Sequence, residues 1–373
     1  MPVPSAARDR IRPVVPPFLL ERIAEHSAEN RQGVRVPHAS SSAAHTLEVD
    51  REFLDRRAHA QSIDNDSAPD TTRALMRSIH DAQNTRELPG TLVRREGQPP
   101  TGDRSVDEAY AGLGVTYEFF RQVYGRNSLD GRGLPLVATV HYDQDYDNAF
   151  WDGERMVFGD GDGEVFGRFT ASLSVIAHEL AHGFTQYSSQ LEYSGQAGAL
   201  NESLSDVFGV LVEQYSLGQS ADEASWLVGK GLFLPAVQGR ALRSMIEPGT
   251  AYDDDVLGRD PQPADMDSYV VTTADYGGVH INSGIPNRAF ALTAIGLGGA
   301  AGKGPGRCGS TSPRILPCRP RSTSRDLLRP PLRLRGRATA TSPTFDGSSN
   351  EPGLRWECQC TTPTSDESAT RRT

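Results

Sequence analysis

Apolar positions along Val106–Tyr124 fall at Ala109, Leu113, Phe119, Phe120 and Val123, the spacing of a helix with one buried face. Similar spacing predicts helices over residues 171–188, 200–214, 226–234 and 283–297, and an amphipathic stretch over 20–26. Enrichment in Val, Thr and Tyr predicts strands at Leu92-Val93 and over Leu134–Tyr142, and residues 147–170 read as short strands punctuated by glycine. A polar Ser/Ala/His tract, Pro37–His45, precedes another helix-like patch at Val49–Gln61. Strands come first and helices follow. That order predicts an α+β fold, with a mixed, β-rich N-terminal lobe and a helical C-terminal lobe. After Leu297-Gly298-Gly299 the periodicity stops, and prolines interrupt every stretch long enough to form a helix.

Composition sharpens this division. The 373 residues carry a formal charge of −10, but residues 301–373 carry +7, which leaves −17 on the first 300. An acidic body argues against nucleic-acid binding by the folded part. All four cysteines, Cys308, Cys318, Cys358 and Cys360, lie in the basic segment, so the rest folds without disulfides. No apolar run approaches the ~18 residues of a membrane helix. The N-terminus lacks the apolar core of a signal peptide, its short apolar patch being broken by Pro16 and Pro17. Cytoplasmic synthesis is expected, with export by a non-classical route left open.

The chemistry is concentrated in His178-Glu179-Leu180-Ala181-His182. Residues four apart share a helix face, so both imidazoles can grip one zinc ion while Glu179 reaches water beside it. A third ligand is needed. Glu202, at the start of the next helical run, supplies it, and Asp206 one turn later can fix the tautomer of a ligand imidazole. In Asp275-Tyr276-Gly277-Gly278-Val279-His280, a histidine beside a paired-glycine turn can donate to a carbonyl oxygen that gains charge, oriented by Asp275. Asp160-Gly161-Asp162-Gly163 is not an EF-hand, because the twelfth loop position is Ala171 rather than Glu.

Together, H-E-L-A-H, the run Gly198–Asp206 and G-G-V-H-I-N-S-G resemble the thermolysin-like zinc neutral metalloproteases over about residues 72–300. The resemblance implies a two-lobe metalloprotease fold and an endopeptidase that cleaves before bulky apolar residues, the P1′ position. It implies His178, His182 and Glu202 as zinc ligands, Glu179 as general base, and Tyr193 and His280 as oxyanion stabilisers. Asp206 and Asp275 would support these from behind. Asn148 and Ala149 would bind substrate main chain by strand addition, and Arg243 would contact a substrate carbonyl. Phe166, Phe169, Val175 and Leu242 match the apolar pocket. Calcium is expected at most at a weakened site: Glu213 is retained, but Ser174 and Lys230 stand at expected carboxylate positions, with Asp222 and Glu223 as remaining candidates.

Pro16–Ala24 resembles the short pro-segment of the protealysin-like branch. The expected organisation is a pro-segment over 1–70, acting as an intramolecular inhibitor, a catalytic lobe with the zinc helix over 71–188, a partial helical lobe over 189–301 and an aberrant tail over 302–373. The linker 64–72 is the expected maturation site. The abrupt change near residue 302 suggests a shifted reading frame. The alternative function is accordingly a catalytically impaired zinc-binding remnant of such a protease.

Overall fold

The computed structural model describes residues 12–29, 37–57, 73–189 and 191–300, all within one unit, residues 1–318. The sequence-based readings of the tail, its cysteines and the linker 64–72 lie outside the described residues.

Strand β4 (Leu136–Tyr142) is the central rung of a six-stranded sheet. It runs parallel to β2 (Arg77–Thr85), which pairs antiparallel with β3 (Thr91–Arg95). On its other side β4 runs parallel to β6 (Met156–Phe158), and β6 pairs antiparallel with β5 (Ala149–Trp151). The far edge of β5 is taken by β1 (Arg12–Pro13) from the N-terminal segment, with Arg12 opposite Trp151 and Pro13 opposite Phe150. A strand edge that would otherwise present open N–H and C=O groups is thereby covered.

Helix α3 (Arg104–Tyr124) starts where the Asp103 side chain accepts from the Val106 N–H, and stops at Gly125 in the left-handed conformation, φ 65°. Its apolar face includes Val106, Ala109 and Leu113, all buried. Helix α4 (Leu173–Gln186) is buried from Ser174 through Thr185, which explains why its apolar residues surround polar histidines instead of forming a stripe. Helix α5 (Gly195–Leu217) lies against it at a glycine: a Cβ on Gly209 would stand 2.5 Å from the Ser174 carbonyl oxygen. This close approach sets the α5 carboxylates over the α4 imidazoles.

Residues 226–234 are not a helix. Leu227–Val228 form β7, paired with β8 (Arg243–Ser244), and the chain then turns at Gly229 and Gly231, φ 73° and 84°. Glycine cost and turn geometry override the apolar spacing here. A small ribbon of β9 (Asp253–Asp254) and β10 (Gly258–Arg259) follows. Helix α6 (Asp275–Asn282) begins in left-handed backbone from Asp275 through Gly278, and α7 (Gly284–Leu297) ends the described chain.

In the N-terminal segment, α1 (Pro17–Glu29) and α2 (Pro37–Arg57) pack together. The polar tract Pro37–His45 and the helix-like patch that follows it form one continuous helix. Proline is tolerated in a first helical turn. Two Ser hydroxyls are spent on distant partners, Ser40 on the Ile23 carbonyl at 2.9 Å and Ser42 on Asp147 Oδ2 at 2.7 Å, while Ser41 bonds back to the His38 carbonyl at 2.8 Å. Val14, Val15, Leu19, Leu20 and Ile23 are buried in the same apolar core as the sheet and α3.

Candidate active site and metal centre

Helix α4 brings His178 and His182 together one turn apart, with Nε2 atoms 3.1 Å from each other. His178, Glu179 and His182 offer ligand atoms within 4.8 Å of one another. From α5, Glu202 places Oε2 at 3.4 Å from His178 Nε2 and Oε1 at 3.4 Å from His182 Nε2. Both Glu202 oxygens are buried with no hydrogen-bond partner of ordinary geometry among the described residues. Orphaned buried carboxylate oxygens are costly, and they fit a cation better than they fit an empty space. Two imidazoles and one carboxylate form the donor set of a catalytic zinc with an open position.

Glu202 is the better third ligand than Glu179, because Glu179 Oε2 already accepts from the Trp151 N–H at 2.9 Å, while its Oε1 is free of partners among the described residues. Burial pushes the Glu179 carboxyl well above its ordinary range, and the Glu202 charge adds to this. Burial acts the same way on Glu202 but is overcome by His280, His182 and His178, which hold it well below.

Each imidazole is held from behind. His178 Nδ1 meets Asp206 Oδ1 at 2.8 Å, and Asp206 is gripped by Arg243 through Nε at 2.9 Å and Nη2 at 2.8 Å, and by Asn287 Nδ2 at 2.8 Å. Burial opposes the Asp206 charge, but the Arg243 and His178 contacts bring its pKa down to about 2. His182 Nδ1 meets Asn201 Oδ1 at 3.1 Å and Ser205 Oγ at 3.0 Å. Sequence reasoning missed Asn201, Ser205, Asn287 and the Trp151 N–H. The first two lie inside the Asn201–Asp206 run, so their adjacency to Glu202 was the available signal.

His280 Nδ1 stands 2.6 Å from Asp275 Oδ1, and its own N–H donates to Asp275 Oδ2 at 2.8 Å. Burial lowers the His280 pKa, but the Glu202 and Asp275 charges raise it above the ordinary value overall. A proton on Nε2 could be donated to a carbonyl oxygen, and the Tyr193 OH lies 3.4 Å from that nitrogen. Phe166, Phe169, Val175 and Leu242 are all buried in one apolar cluster, and Phe166 and Phe169 have ring centroids 5.7 Å apart.

The N-terminal segment runs through this site. The Pro13 carbonyl oxygen is 3.2 Å from His280 Nε2. The Val14 N–H donates to the Ala149 carbonyl at 3.1 Å, and the Val14 carbonyl accepts from Arg243 Nη1 at 3.0 Å. The Val15 N–H donates to Asn148 Oδ1 at 2.9 Å, and the Val15 carbonyl accepts from Asn148 Nδ2 at 3.2 Å. Val14 and Val15 are 0% exposed. Asp50 on α2 reaches the same asparagine, accepting from Asn148 Nδ2 at 3.2 Å and from the Tyr146 hydroxyl.

At the positions considered for calcium, Glu213 is hydrogen-bonded to Ser174 and faces the Lys230 ammonium, and Glu223 Oε2 instead accepts from the Ser220 N–H at 2.9 Å. No described helix is long and apolar enough to cross a membrane.

Residues 42–186 match the model of the thermolysin metallopeptidase catalytic domain, and residues 189–311 match that of the thermolysin metallopeptidase α-helical domain. An extracellular metalloprotease of Pectobacterium carotovorum subsp. carotovorum is 52% identical over 301 residues, covering 79% of this chain and 82% of that protein. Protease PrtS of Photorhabdus sp. (strain Az29) is 48% identical over 290 residues, covering 77% and 76%. Among solved structures, the precursor of protealysin, a metalloproteinase from Serratia proteamaculans, aligns with a TM-score of 0.68 at 52% identity, covering 78% of this chain and 82% of that one. With two histidines and a buried glutamate brought together between α4 and α5, the chain belongs to the thermolysin family of zinc metalloendopeptidases, in its protealysin branch.

Proposed function

We propose that this chain is an endopeptidase made as a latent precursor, with residues 1–70 as a pro-segment whose Pro13–Val15 stretch lies in its own substrate cleft. The observation that carries this reading is the backbone of Pro13–Val15, held by His280, Ala149, Arg243 and Asn148, the groups expected to hold substrate. In this reading His178, His182 and Glu202 hold zinc, which when bound supplies Lewis acidity and a water acidic enough to ionise near neutral pH.

The protein groups do the rest. Glu179, buried and with one free oxygen, takes a proton from the attacking water and returns it to the leaving nitrogen. His280 Nε2 and Tyr193 OH donate to the carbonyl oxygen as it gains charge. Asp275 orients His280. Asp206 orients His178 and fixes Arg243, which receives the next carbonyl. Asn148 and Ala149 align the main chain by strand addition. Phe166, Phe169, Val175 and Leu242 are buried apolar side chains of one cluster, which supports a preference for bulky apolar side chains at P1′.

Domain roles follow the same reading: catalytic lobe over 71–188, helical lobe from 189, maturation in the linker 64–72, and export by a non-classical route. Calcium is not required at the Glu213 position, where Lys230 supplies a positive charge.

The test is casein turnover by the full chain with zinc, with and without chelator, before and after loss of residues 1–70. Chelator-sensitive turnover that rises on loss of the segment is expected. Turnover indifferent to both would refute the reading. Glu179→Gln should lower kcat about 10²–10⁴-fold with zinc retained.

A second reading, an impaired remnant, is favoured by one observation. Helix α7 exposes Phe290, Leu292 and Leu297, the last to 63%, although it is the helix that a helical lobe would bury. In that case zinc binding persists without turnover.

A further inference from the structure

We infer that the Pro13–Val14 peptide bond is itself a substrate of this active site: the segment occupies the cleft in cleavable register, and its first chemical event is a cut between residues 13 and 14. This rests on the proposed function.

The register is fixed by consecutive backbone groups. The carbonyl aimed at His280 Nε2 belongs to Pro13, at 3.2 Å. The next N–H, from Val14, donates to Ala149, and the next carbonyl, from Val14, accepts from Arg243. Asn148 then takes both the N–H and the carbonyl of Val15. The segment thus offers the site a carbonyl followed, in chain direction, by groups matching every main-chain contact assigned to the leaving side of a substrate. A segment bound in reverse would break this order, and a slip of one residue would turn the Val14 and Val15 side chains to opposite faces. Both are 0% exposed in the present register.

The bond is chemically ordinary. It joins Pro to Val, so the leaving nitrogen is that of Val14 and carries an N–H, unlike an X–Pro bond. Hydrolysis adds water across it: the C–N bond breaks, the oxygen goes to the Pro13 carbonyl carbon, and the Val14 nitrogen leaves as an amine. Glu179 Oε1, without a partner among the described residues, is the acceptor for the water proton.

The cut does not free the cleft. Val14 and Val15 remain bonded to Arg243 and Asn148, and Leu19, Leu20 and Ile23 stay in the core. The predicted sequence is therefore a nick at residue 13 without gain of activity, followed by activation only when the remaining segment is detached.

The experiment follows full-length protein with zinc by intact mass, N-terminal sequencing and casein turnover in parallel, beside Glu179→Gln. The expected result is loss of residues 1–13 with a new N-terminus at Val14, at a rate independent of protein concentration, before turnover rises, and slowed at least about 10²-fold in Glu179→Gln. Chelator-sensitive turnover that appears while residues 1–13 are still attached would overturn the inference and leave the proposed function standing. A readout independent of activity is amide exchange in Glu179→Gln, where the Val14 and Val15 amides should be strongly protected. Rapid exchange at both would overturn the register itself.

Discussion

Asp206 joins His178, Arg243 and Asn287 with two oxygens, so under the proposed function one carboxylate would orient a ligand imidazole and fix the cation that receives a substrate carbonyl. Asp206→Asn should weaken zinc binding about 10–100-fold, read by competition with a chromophoric chelator. Unchanged affinity would contradict the assigned role. Asp50 is a different kind of residue. Burial raises its pKa to about 7 despite hydrogen bonds from Tyr146 and Asn148. A detached segment would return it to the ordinary carboxylate range near ~4. Below that range both states are protonated and pH has no effect. Between about 4 and 7 the docked state holds a proton that the detached state has lost, so docking weakens as pH rises, by up to about 1.4 kcal/mol per pH unit, and levels off above 7. Asp147, which burial and Asp162 push well above its ordinary range, acts in the same direction. Amide exchange of the docked segment in Glu179→Gln between pH 5 and 8 should show this slope, and Asp50→Asn should flatten it in part. A slope of opposite sign would refute the assignment. The closeness of His178 and His182 was legible because four-residue spacing on a helix is a local code. Asp50 was not, because its partners Tyr146 and Asn148 are distant in sequence.

At the scale of elements, the crossing of α4 and α5 sets the distance from Glu202 to the imidazoles, and Gly209 permits it. Gly209→Ala must push its Cβ against the Ser174 carbonyl, so it should destabilise by about 1–3 kcal/mol and weaken zinc binding together. Gly296 in α7 has nothing within 4 Å of an added Cβ, and Gly296→Ala should be neutral or stabilise by up to about 1 kcal/mol without affecting zinc. Denaturant melts of the two variants, read with zinc affinity, check the contrast. The helices α3, α4, α5 and α7 were legible in apolar spacing. Residues 226–234 were misread because a run of Trp, Leu, Val and Phe imitates a helix, while the glycines at 229 and 231 decide for strand and turn. Strands β1 and β2 escaped notice: β1 is two residues long, and β2 is polar at most positions.

For the whole molecule, the sheet closes its own β5 edge. Strand β1 adds to β5 across more than 130 residues of sequence, a non-local pairing that no periodicity announces. Resemblance to a short pro-segment predicted that residues 1–70 inhibit, and under the proposed function the placement of Pro13–Val15 would be the physical means. The two-lobe fold, by contrast, could be read from the order of strands and helices, since each lobe is built mostly from local elements. All of this depends on a metal held between α4 and α5. The most direct measurement is elemental analysis of the purified full chain after dialysis, beside Glu202→Gln, with folding checked by circular dichroism. One zinc ion per chain in the parent, and substantial loss in the variant, is the predicted result. A folded parent chain that retains no zinc, or a variant that retains it fully, would contradict the account.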